Sequence, residues 1–526
     1  GTTSSIEDTM KRGRVDGQIS KQEYEMGSQE SHSPGTFLRA TPGTLANRRM
    51  LVPKVSNKKK EFVKHIKELN RSFYDYFREC VEEDPNQHMT TVVQDYIDYV
   101  SQLEDRYLRS YGEVMTFGSG DCGQLAHGVE EDDDLMVKFP RIVYSLRNKK
   151  VVGIACGGLH NAVFTEDGQV YTWGCADDGS LGREGDENMP ILVEGLAHET
   201  IIGVACGDGQ TLAVAVSGDV YGWGCYKDKE GKKWFNPQPG SSAIRRQQNE
   251  PLKIQGFASD CQVVEIACGS TFNVARCANG TIYSWGLGEC GELGRSVPAM
   301  KSDGEYDEAS ILRMHITPGK MFLTANNTKE AVNPKAIGCG AYHTLVVIGN
   351  SVYVCGLNNY GQLGIGSTES SDFLTEVEDL RGLGVVAVKG GMHHSLVLTS
   401  NGVMFSFGRG DSGQLGVAGY ADGAAGDFAD RPQEIVLPAL AGSDTKVAAI
   451  SCGANHNLAV LKNNKDVFSW GYGDMLALGH GKERDETTPK RLNFEKVVSG
   501  GGMVEKVVQV DGGGQHSAII AVVRTT

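Results

Sequence analysis

The chain lacks several features that would assign it to a common class of protein. No stretch of its 526 residues approaches the roughly 18 apolar residues that a membrane-spanning helix needs, and no hydrophobic core of a signal peptide is visible. The 13 cysteines include no Cys-x-x-Cys pair, which argues against a zinc site. No Ser-His-Asp order and no phosphate-binding loop stands out. We therefore expect no membrane span, no metal, no cofactor and no catalysis of bond chemistry.

Glycine, in contrast, is abundant, and its positions repeat. The 68 glycines recur in a phrase of two strands joined by a glycine turn and followed by an aromatic-glycine step, most clearly from Val152 to Gly182. The aromatic-glycine step has seven copies: Phe117-Gly118, Trp173-Gly174, Trp223-Gly224, Trp285-Gly286, Cys355-Gly356, Phe407-Gly408 and Trp470-Gly471. The glycine turn also has seven: Cys156-Gly157, Cys206-Gly207, Cys268-Gly269, Cys339-Gly340, Gly390-Gly391, Cys452-Gly453 and Gly512-Gly513.

This repeat predicts an all-β fold, a seven-bladed β-propeller, over residues 111–526. Self-similarity at a period of roughly 40–70 residues is typical of folds in which each unit is one small sheet. The two sets of copies are offset, because Glu113–Leu125 has no glycine-turn half before it and Val507–Val522 has no aromatic-glycine half after it. We expect these two halves to share one blade and so to close the ring without free edges.

Other residues follow the same repeat. Five cysteines share one slot of it: Cys156, Cys206, Cys268, Cys339 and Cys452. Equivalent slots lie far apart around a ring, so these cysteines are predicted to be small buried thiols and not disulfide partners. The expected compartment is reducing, either nucleus or cytosol. The strands alternate, as in Val170-Tyr171-Thr172-Trp173. Histidines also recur, which predicts that many of them form hydrogen bonds with neighbouring backbone inside the blade.

The first 110 residues differ from the repeat region. They carry 17 basic and 17 acidic residues, so the propeller holds the whole net charge of −15, which argues against nucleic-acid binding through bulk charge. Residues 1–56 are aperiodic and rich in Ser, Gly, Thr and charge, and we expect a disordered basic tail. Apolar residues then recur at helical spacing on both sides of Asp84-Pro85, which predicts a short helical hairpin over 57–110.

The repeated phrase Ala-Cys-Gly-x-x-His, Asp-Gly-x-Val-Tyr-x-Trp-Gly and Gly-x-Leu-Gly, in seven offset copies, resembles the regulator of chromosome condensation family over about residues 113–522. The resemblance implies a chromatin-associated exchange factor that releases guanine nucleotide from the small GTPase Ran. The same superfamily includes ubiquitin-ligase accessory propellers, ciliary GTPase-regulator relatives and ultraviolet-B photoreceptors. The phrase alone therefore does not fix the activity.

The loop after Trp223-Gly224 carries the first feature specific to exchange. It reads Cys-Tyr-Lys-Asp-Lys-Glu-Gly over residues 225–231, similar to a hairpin wedge that the family presses against the phosphate-binding loop of the GTPase. By resemblance, Tyr226, Lys227, Asp228 and Gly231 form this wedge. Nucleotide is held by Mg²⁺ and by backbone N–H groups, so a wedge that distorts this cradle lowers nucleotide affinity without breaking a bond. The alternative is an elaborated surface loop.

Five further residues match family positions implicated in GTPase contact: Asp121, Asp208, Arg295, His393 and His516. Arg295 offers five donors to a carboxylate-rich partner, although a solvated loop arginine is the simpler interpretation. His393 stands beside the repeat-phased His394 and is the best histidine candidate. Three expected residues are missing, because Gln210, Thr271 and Gly361 occur where the resemblance expects a histidine, an aspartate and a second histidine.

The N-terminal segment is similar to the importin-α-binding half of the mobile nuclear-basket nucleoporin over about residues 11–108. The resemblance is carried by the order of its motifs: Lys11-Arg12, Tyr24, Gly35-Thr36-Phe37, Arg48-Arg49, Asp84-Pro85 and residues 93–99. It implies that Lys11, Arg12, Arg48 and Arg49 occupy the basic-signal pockets of importin-α.

The sequence thus predicts a nuclear exchange factor for a Ran-type small GTPase with an importin-α-binding arm, acting in nucleocytoplasmic transport. The alternative is a non-catalytic propeller scaffold that binds proteins or chromatin in the nucleus. Preference for the nucleotide-free GTPase discriminates the two, because a scaffold has no reason to choose that state.

Overall fold

The computed structural model describes residues 110–128, 136–237, 240–241, 243–299, 307–323, 334–420, 427–440, 444–494 and 502–525. The chain is divided into two units, Gly1–Leu108 and Arg109–Thr526, and all described residues belong to the second. The predicted tail (1–56) and nearly all of the predicted helical hairpin (57–110) lie outside the described residues. The importin-α candidates Lys11, Arg12, Arg48 and Arg49 do so too.

The described residues form seven four-stranded antiparallel sheets, which confirms the predicted seven-bladed propeller. In chain order the strands are β1 (Glu113–Ser119), β2 (Met136–Ile142), β3 (Val151–Cys156), β4 (His160–Thr165), β5 (Val170–Gly174), β6 (Ile191–Leu192), β7 (Ile201–Cys206), β8 (Gln210–Ala215), β9 (Val220–Gly224), β10 (Tyr226–Lys227), β11 (Lys233–Trp234), β12 (Gln248–Lys253), β13 (Val263–Cys268), β14 (Phe272–Cys277), β15 (Ile282–Gly286), β16 (Gly319–Lys320), β17 (Pro334–Cys339), β18 (His343–Ile348), β19 (Ser351–Gly356), β20 (Ser371–Glu376), β21 (Val385–Gly390), β22 (His394–Thr399), β23 (Met404–Arg409), β24 (Phe428–Ile435), β25 (Val447–Cys452), β26 (His456–Leu461), β27 (Val467–Gly471), β28 (Glu486–Arg491), β29 (Gly502–Gly512) and β30 (His516–Thr525).

Each sheet is one blade, and neighbouring strands in a blade are hydrogen-bonded. Blade 1 is β2-β1-β30-β29, blade 2 is β3-β4-β5-β6, blade 3 is β7-β8-β9-β12, and blades 4 to 7 are β13 to β16, β17 to β20, β21 to β24 and β25 to β28. Between the blade strands lie the separate two-stranded sheet β10-β11, one α-helix, α1 (Glu308–Ile316), and four 3-10 turns (Tyr144–Leu146, Glu194–Leu196, Glu378–Leu380 and Asp474–Leu476). Within this part of the chain, no helix has the length and apolarity to cross a bilayer.

Blade 1 closes the ring with strands from both ends of the propeller. Strand β1 pairs antiparallel with β30, in a register that joins Glu113 to Ala521 and Gly118 to His516. The two halves that lack partners in the sequence therefore complete each other, as predicted. The inner strands β3, β7, β13, β17, β21, β25 and β29 surround a central channel with a free volume of about 250 Å³.

The strands are more deeply buried than their alternating pattern predicts. All five residues of β5 are buried, including both Thr172 and Trp173, although alternation is typical of strands with one face in water. The reason is that each blade is stacked between two others, so both faces of its middle strands are covered. The tryptophans of the aromatic-glycine step are fully buried there, and the Trp173 indole N–H donates to the Gln124 carbonyl oxygen of blade 1 at 2.9 Å.

Five buried histidines link successive blades through side chains, not through backbone of their own blade as the sequence suggested. Each Nε2 lies 2.7–2.8 Å from an oxygen on the next blade: His160 to Thr211, His343 to Ser395, His394 to Asn457, His456 to Ser517 and His516 to Asn161. We call these residues the inter-blade histidines. In blade 3 the same slot holds Gln210, whose side-chain amide donates to the Gly269 carbonyl oxygen, and in blade 4 it holds Phe272.

The hydrogen-bond partners show that Nε2 carries a proton in each of the inter-blade histidines. Thr211, Ser395 and Ser517 donate their own hydroxyl protons to backbone carbonyl oxygens, so each accepts from a histidine. The side-chain amides of Asn161 and Asn457 likewise donate to carbonyl oxygens, which leaves their oxygens facing the rings. All five histidines therefore carry a proton on Nε2. Because their pKa values lie well below 7, Nδ1 stays unprotonated and the imidazole groups are neutral at pH 7. Burial lowers their pKa values, to about 4 for His160, His394 and His456 and to about 3 for His343 and His516.

The five repeat-phased cysteines end five of the inner strands and are free thiols, as predicted. Only Cys156 is buried as expected, because the other four keep some exposed surface where they line the channel. The structure also contains a disulfide that the repeat does not predict, between Cys261 and Cys277. These two residues lie outside the repeated slot. Cys277 is at the end of β14 opposite Val263 of β13, so the antiparallel register brings the two cysteines together.

Candidate functional site

The predicted GTPase contacts all lie on one face of the ring. In a four-stranded antiparallel blade, the first and third strands end on the same side. The glycine turns after the inner strands and the loops after the aromatic-glycine steps therefore emerge together, and we call this side the loop face. Asp121, Asp208, Arg295, His393 and residues 226–231 belong to these turns and loops. His516 begins β30 on the same side.

A two-stranded hairpin, residues 226–234, stands on the loop face of blade 3. Tyr226 pairs with Trp234 and Lys227 with Lys233. The Asp228 carboxylate accepts the backbone N–H groups of Glu230 at 2.9 Å and Lys232 at 2.8 Å, which fixes the turn. Residues 229–232 at the tip are exposed, and Gly231 has a φ of +79° with open space around it. The segment predicted to be a wedge is thus an ordered projection.

Tyr226 anchors the hairpin and does not form its tip. Its side chain is fully buried, it stacks on Phe235 with ring centroids 5.3 Å apart, and its hydroxyl donates to Asn236 Oδ1 at 2.9 Å. Asn236 in turn donates to the Ile316 carbonyl oxygen at the end of α1. The prediction that Tyr226 contacts the partner is therefore wrong, because its aromatic ring sits in the core below the hairpin. Lys227, Asp228 and Gly231 remain accessible.

Ion pairs tie the hairpin to the loops of both neighbouring blades. Lys227 Nζ lies 2.9 Å and Lys233 Nζ 3.0 Å from the carboxylate of Asp178 on blade 2, and Lys229 Nζ lies 3.2 Å from Glu289 on blade 4. Burial alone would raise the pKa of Asp178, but the hydrogen bonds from the two lysines outweigh it and the pKa is lowered. Because such exposed pairs contribute little to folding, typically below about 1 kcal/mol, their main effect is to orient the hairpin.

A cavity of about 300 Å³ lies between the hairpin and the mouth of the channel. Its lining includes five carboxyl groups and two lysines: Asp178, Asp208, Asp228, Glu289, Glu292, Lys227 and Lys229. Asp208 keeps exposed surface, yet desolvation of its carboxyl group raises its pKa although a hydrogen bond from Ser270 opposes this. Burial also raises the pKa of Glu292, to about 7. In the described part of the chain, no cluster of His, Cys, Asp and Glu is suited to a metal ion.

Sequence reasoning missed these additional carboxylates for a physical reason. Glu289 stands in the slot of the repeat that holds Asp121, Asp177 and Asp411 in other copies, and Asp178 stands one position later, so an acidic residue there did not single out one blade. Glu292 did leave a signal, because it stands where other copies of Gly-x-Leu-Gly carry Gln362 or Gln414. Its carboxylate accepts the Cys290 backbone N–H at 2.6 Å, as the Gln414 side chain accepts that of Ser412. A carboxyl group in a slot built for a neutral amide is what raises its pKa.

Arg295 is used inside the protein. Its guanidinium donates to the carbonyl oxygens of Met314, His315 and Thr317 at 2.9–3.1 Å, so it caps the end of α1. Burial lowers its pKa to about 10. The prediction that its donors face a partner carboxylate is wrong. The equivalent Arg183 of blade 2 also donates to backbone carbonyl oxygens, which shows that this arginine position is structural.

The two predicted histidines have different environments. His516 is one of the inter-blade histidines and is fully buried, so it does not contact a partner. Its spacing from Gly513 equals that of His160 from Gly157, a signal of a structural role. His393 is half-buried on the loop face, with its ring 5.1 Å from that of Tyr360 and 6.1 Å from that of Tyr342. Burial, and to a smaller extent Arg409, lowers its pKa.

Arg409 and Asp121 complete the described loop-face groups. Arg409 pairs with Asp411 at 2.7 Å and lies over the Tyr360 ring at 5.3 Å, beside His393. Asp121 is exposed after β1. The face thus presents a projecting hairpin on one side of the channel mouth, with His393 and its aromatic neighbours on blades 5 and 6.

Comparison with known proteins places this architecture in a family. Residues 113–519 match the family described as RCC1-like domain. The chain is similar to the regulator of chromosome condensation of Homo sapiens, with 31% identity over 419 residues, 78% of this chain and 90% of the human protein.

Two solved structures share the fold. Prp20p of Saccharomyces cerevisiae, described with its binding properties to Gsp1p and histones, matches with a TM-score of 0.68 and 24% identity, over 81% of this chain and 95% of Prp20p. Yeast Prp20 with Kap60 bound matches with a TM-score of 0.67 and 23% identity, over 81% of this chain and 92% of that one. With the family match and the human relative, the chain belongs to the RCC1-like propeller family.

Proposed function

We propose that the chain is a guanine-nucleotide exchange factor for a Ran-type small GTPase and acts in the nucleus, in nucleocytoplasmic transport. The observation that carries the proposal is the ordered hairpin, exposed at its tip and oriented by ion pairs on both sides. A wedge must keep its shape when it is pushed into a partner, and the Asp228 turn together with the buried Tyr226 base provide that rigidity. The human and yeast relatives support the proposal.

The mechanism requires no bond chemistry. A GTPase holds its nucleotide through Mg²⁺ and through backbone N–H groups that cradle the phosphates. A rigid tip that displaces this cradle raises the rate of nucleotide loss, and the vacated GTPase then binds whichever nucleotide is abundant. In this proposal Lys227, Asp228 and Gly231 belong to the wedge, whereas Tyr226 positions it.

The remaining loop-face groups bind and orient the GTPase. Asp121, Asp208 and His393 are accessible there, and the cavity beside the hairpin adds Glu289. This carboxylate lies in the same cavity as Ser270 and Thr271, where the resemblance expects an aspartate. An acidic charge is therefore present close to the expected place, carried by a different loop. Basic residues of the GTPase are the complement that such a surface attracts.

The decisive experiment measures release of labelled GDP from Ran in the presence of the purified chain. We expect acceleration at micromolar protein, and Asp228→Ala should reduce it at least tenfold, because the carboxylate that organises the turn is lost. Lys465→Ala is the matched control, since this exposed lysine lies in the turn between β26 and β27 on the opposite face. No acceleration by the wild-type chain would end the proposal.

We also propose that Lys11, Arg12, Arg48 and Arg49 bind importin-α. The proposal rests on the order of the N-terminal motifs, and the Kap60 complex of yeast Prp20 is a parallel for it. Replacing Lys11 and Arg12 with alanine should weaken capture by purified importin-α, whereas Lys21→Ala should not. Equal capture of both variants would remove Lys11 and Arg12 from the interface.

A non-catalytic scaffold that binds proteins or chromatin is the second candidate. It is favoured by the internal use of Arg295 and His516, which leaves fewer side chains for catalysis of exchange. A scaffold would bind Ran·GDP and nucleotide-free Ran equally, whereas an exchange factor prefers the nucleotide-free protein.

A further inference from the structure

A groove lies on the outer side of the hairpin, away from the channel. It is bounded by the hairpin turn, by residues 243–246 and by the first turns of α1, and its volume is about 550 Å³. This is the largest of the cavities described, twice the volume of the channel. The two long insertions of the propeller, in blades 3 and 4, therefore face each other across an open space.

The floor of the groove is apolar and its walls are charged. Trp234, Ile244 and Leu312 contribute the floor, and the Arg246 guanidinium stacks over the Trp234 ring at 3.9 Å. The indole N–H of Trp234 donates to Asp228 Oδ2 at 3.2 Å, so the ring is fixed to the turn of the hairpin. A planar ring held in this way is a preformed platform for an apolar side chain.

The hairpin and α1 also form one mechanical unit. Asn236, at the base of the hairpin, donates to the carbonyl oxygen of Ile316 in the last turn of α1. Tyr226, Phe235, Leu312 and Ile316 belong to the same buried cluster. The two walls of the groove are therefore anchored in one core, and a force on one wall is transmitted to the other.

The size of a GTPase decides what occupies the groove. Paired strands lie about 5 Å apart, whereas a GTPase of roughly 200 residues is about 40 Å across by the scaling of radius of gyration with chain length. A partner that receives the hairpin tip is much wider than the hairpin and must cover the surface on both of its sides. The groove shares Asp228, Lys229 and Glu289 with the channel-side cavity, so it is continuous with the proposed contact.

We propose that this groove is a second docking surface for the same GTPase, receiving an apolar side chain on Trp234, Ile244 and Leu312 between the hairpin and α1. The inference rests on the proposed function. It assigns α1 a contact role, and it means that the partner contacts the hairpin on both of its sides.

The test fills the groove and measures both binding and exchange. Ala309 is exposed in the first turn of α1 and Ala243 is exposed on the opposite wall. Ala309→Trp and Ala243→Trp should each raise the concentration that gives half-maximal GDP release from Ran at least tenfold. Ser259→Trp, at an exposed position between β12 and β13 on the opposite face, should leave it within twofold. If one tryptophan variant does not fold, the other retains the test.

Hydrogen exchange supplies a readout that does not depend on catalysis. In the complex with nucleotide-free Ran, amides 308–316 should exchange at least tenfold more slowly than in the free chain. Protection of α1 without any acceleration of GDP release would refute the exchange function and keep the groove. Acceleration that both tryptophan variants leave unchanged, with α1 unprotected, would overturn the groove and keep the exchange function. Absence of binding altogether would overturn both.

Discussion

Acidification should unfold this propeller because the inter-blade histidines bind protons only in the unfolded chain. The five histidines are neutral and buried, with pKa values of about 3–4, whereas an unfolded histidine titrates near 6.5. Between these values the unfolded chain binds protons that the folded chain refuses, so stability is complete above about pH 6.5 and falls as the pH is lowered.

The expected magnitude is large compared with the stability of a domain. At pH 5.5, one unit below the unfolded pKa, each such histidine costs about 1.4 kcal/mol, and five cost about 7 kcal/mol. Glu292 acts in the opposite direction, since its raised pKa lets the folded state bind a proton first, but it returns only about 2 kcal/mol at that pH. The histidines win. The loss of about 5 kcal/mol from these six groups is comparable with the whole stability of many domains.

The chain contains its own matched substitution for the assay. Gln210 occupies the histidine slot of blade 3, where it donates from its side-chain amide and cannot titrate. We therefore expect His394→Gln to reduce the loss of unfolding free energy between pH 7.5 and pH 5.5 by about 1.4 kcal/mol, measured by urea unfolding at the two pH values. The substitution should change the free energy of unfolding less at pH 7.5 than at pH 5.5. An unchanged pH dependence in this variant, or imidazole resonances assigned to these five histidines that titrate near pH 6.5 in the folded protein, would refute the reasoning.

Three further predictions concern the loop face. Arg295→Ala removes three hydrogen bonds at the end of α1, so amides 308–316 should exchange faster and unfolding should become easier by about 2–3 kcal/mol; unaltered exchange in α1 would contradict its capping role. Asp178→Asn weakens the pairs with Lys227 and Lys233, so the tip of the hairpin should lose hydrogen-exchange protection while the urea midpoint moves little; a rigid tip in this variant would show that the ion pairs do not orient it. Gly224→Ala would place a Cβ 2.0 Å from the Gly209 carbonyl oxygen at a φ of +97°, so it should destabilise the propeller by roughly 2–4 kcal/mol; Gly231→Ala, with open space around it, is the control and should cost far less in the same urea titration.

The fold was predictable because its physics is periodic. A residue type that recurs at one slot of several blades has a similar environment in each, so Trp173 and its copies indicate a buried position by repetition. The offset of Glu113–Leu125 against Val507–Val522 likewise predicts closure, since an unpaired half-blade would expose a sheet edge. Where the period stops, so does the prediction. Cys261 and Cys277 lie outside the repeated slot, and only the register of β13 and β14 brings them together.

The site was harder to predict because residue type does not reveal where a donor points. Arg295 and His516 carry the chemistry expected of a binding site, yet carbonyl oxygens and Asn161 consume their donors inside the protein. The equivalent residues Arg183 and His160 indicate the structural role, since a function confined to one place on a ring has no reason to recur in another blade. His393, which has no counterpart in the copies, keeps its candidacy for that reason.

The pairing of β1 with β30 has a consequence for biosynthesis. About 400 residues separate the two strands, so the loop that their pairing closes carries a high entropic cost and a slow rate of formation. While the chain grows on the ribosome, six blades can assemble in order, but the seam waits for the final strand. Until then, β1 exposes an unpaired edge and the faces of blades 2 and 7 beside the gap are incompletely covered, so this interval is when chaperone protection matters most.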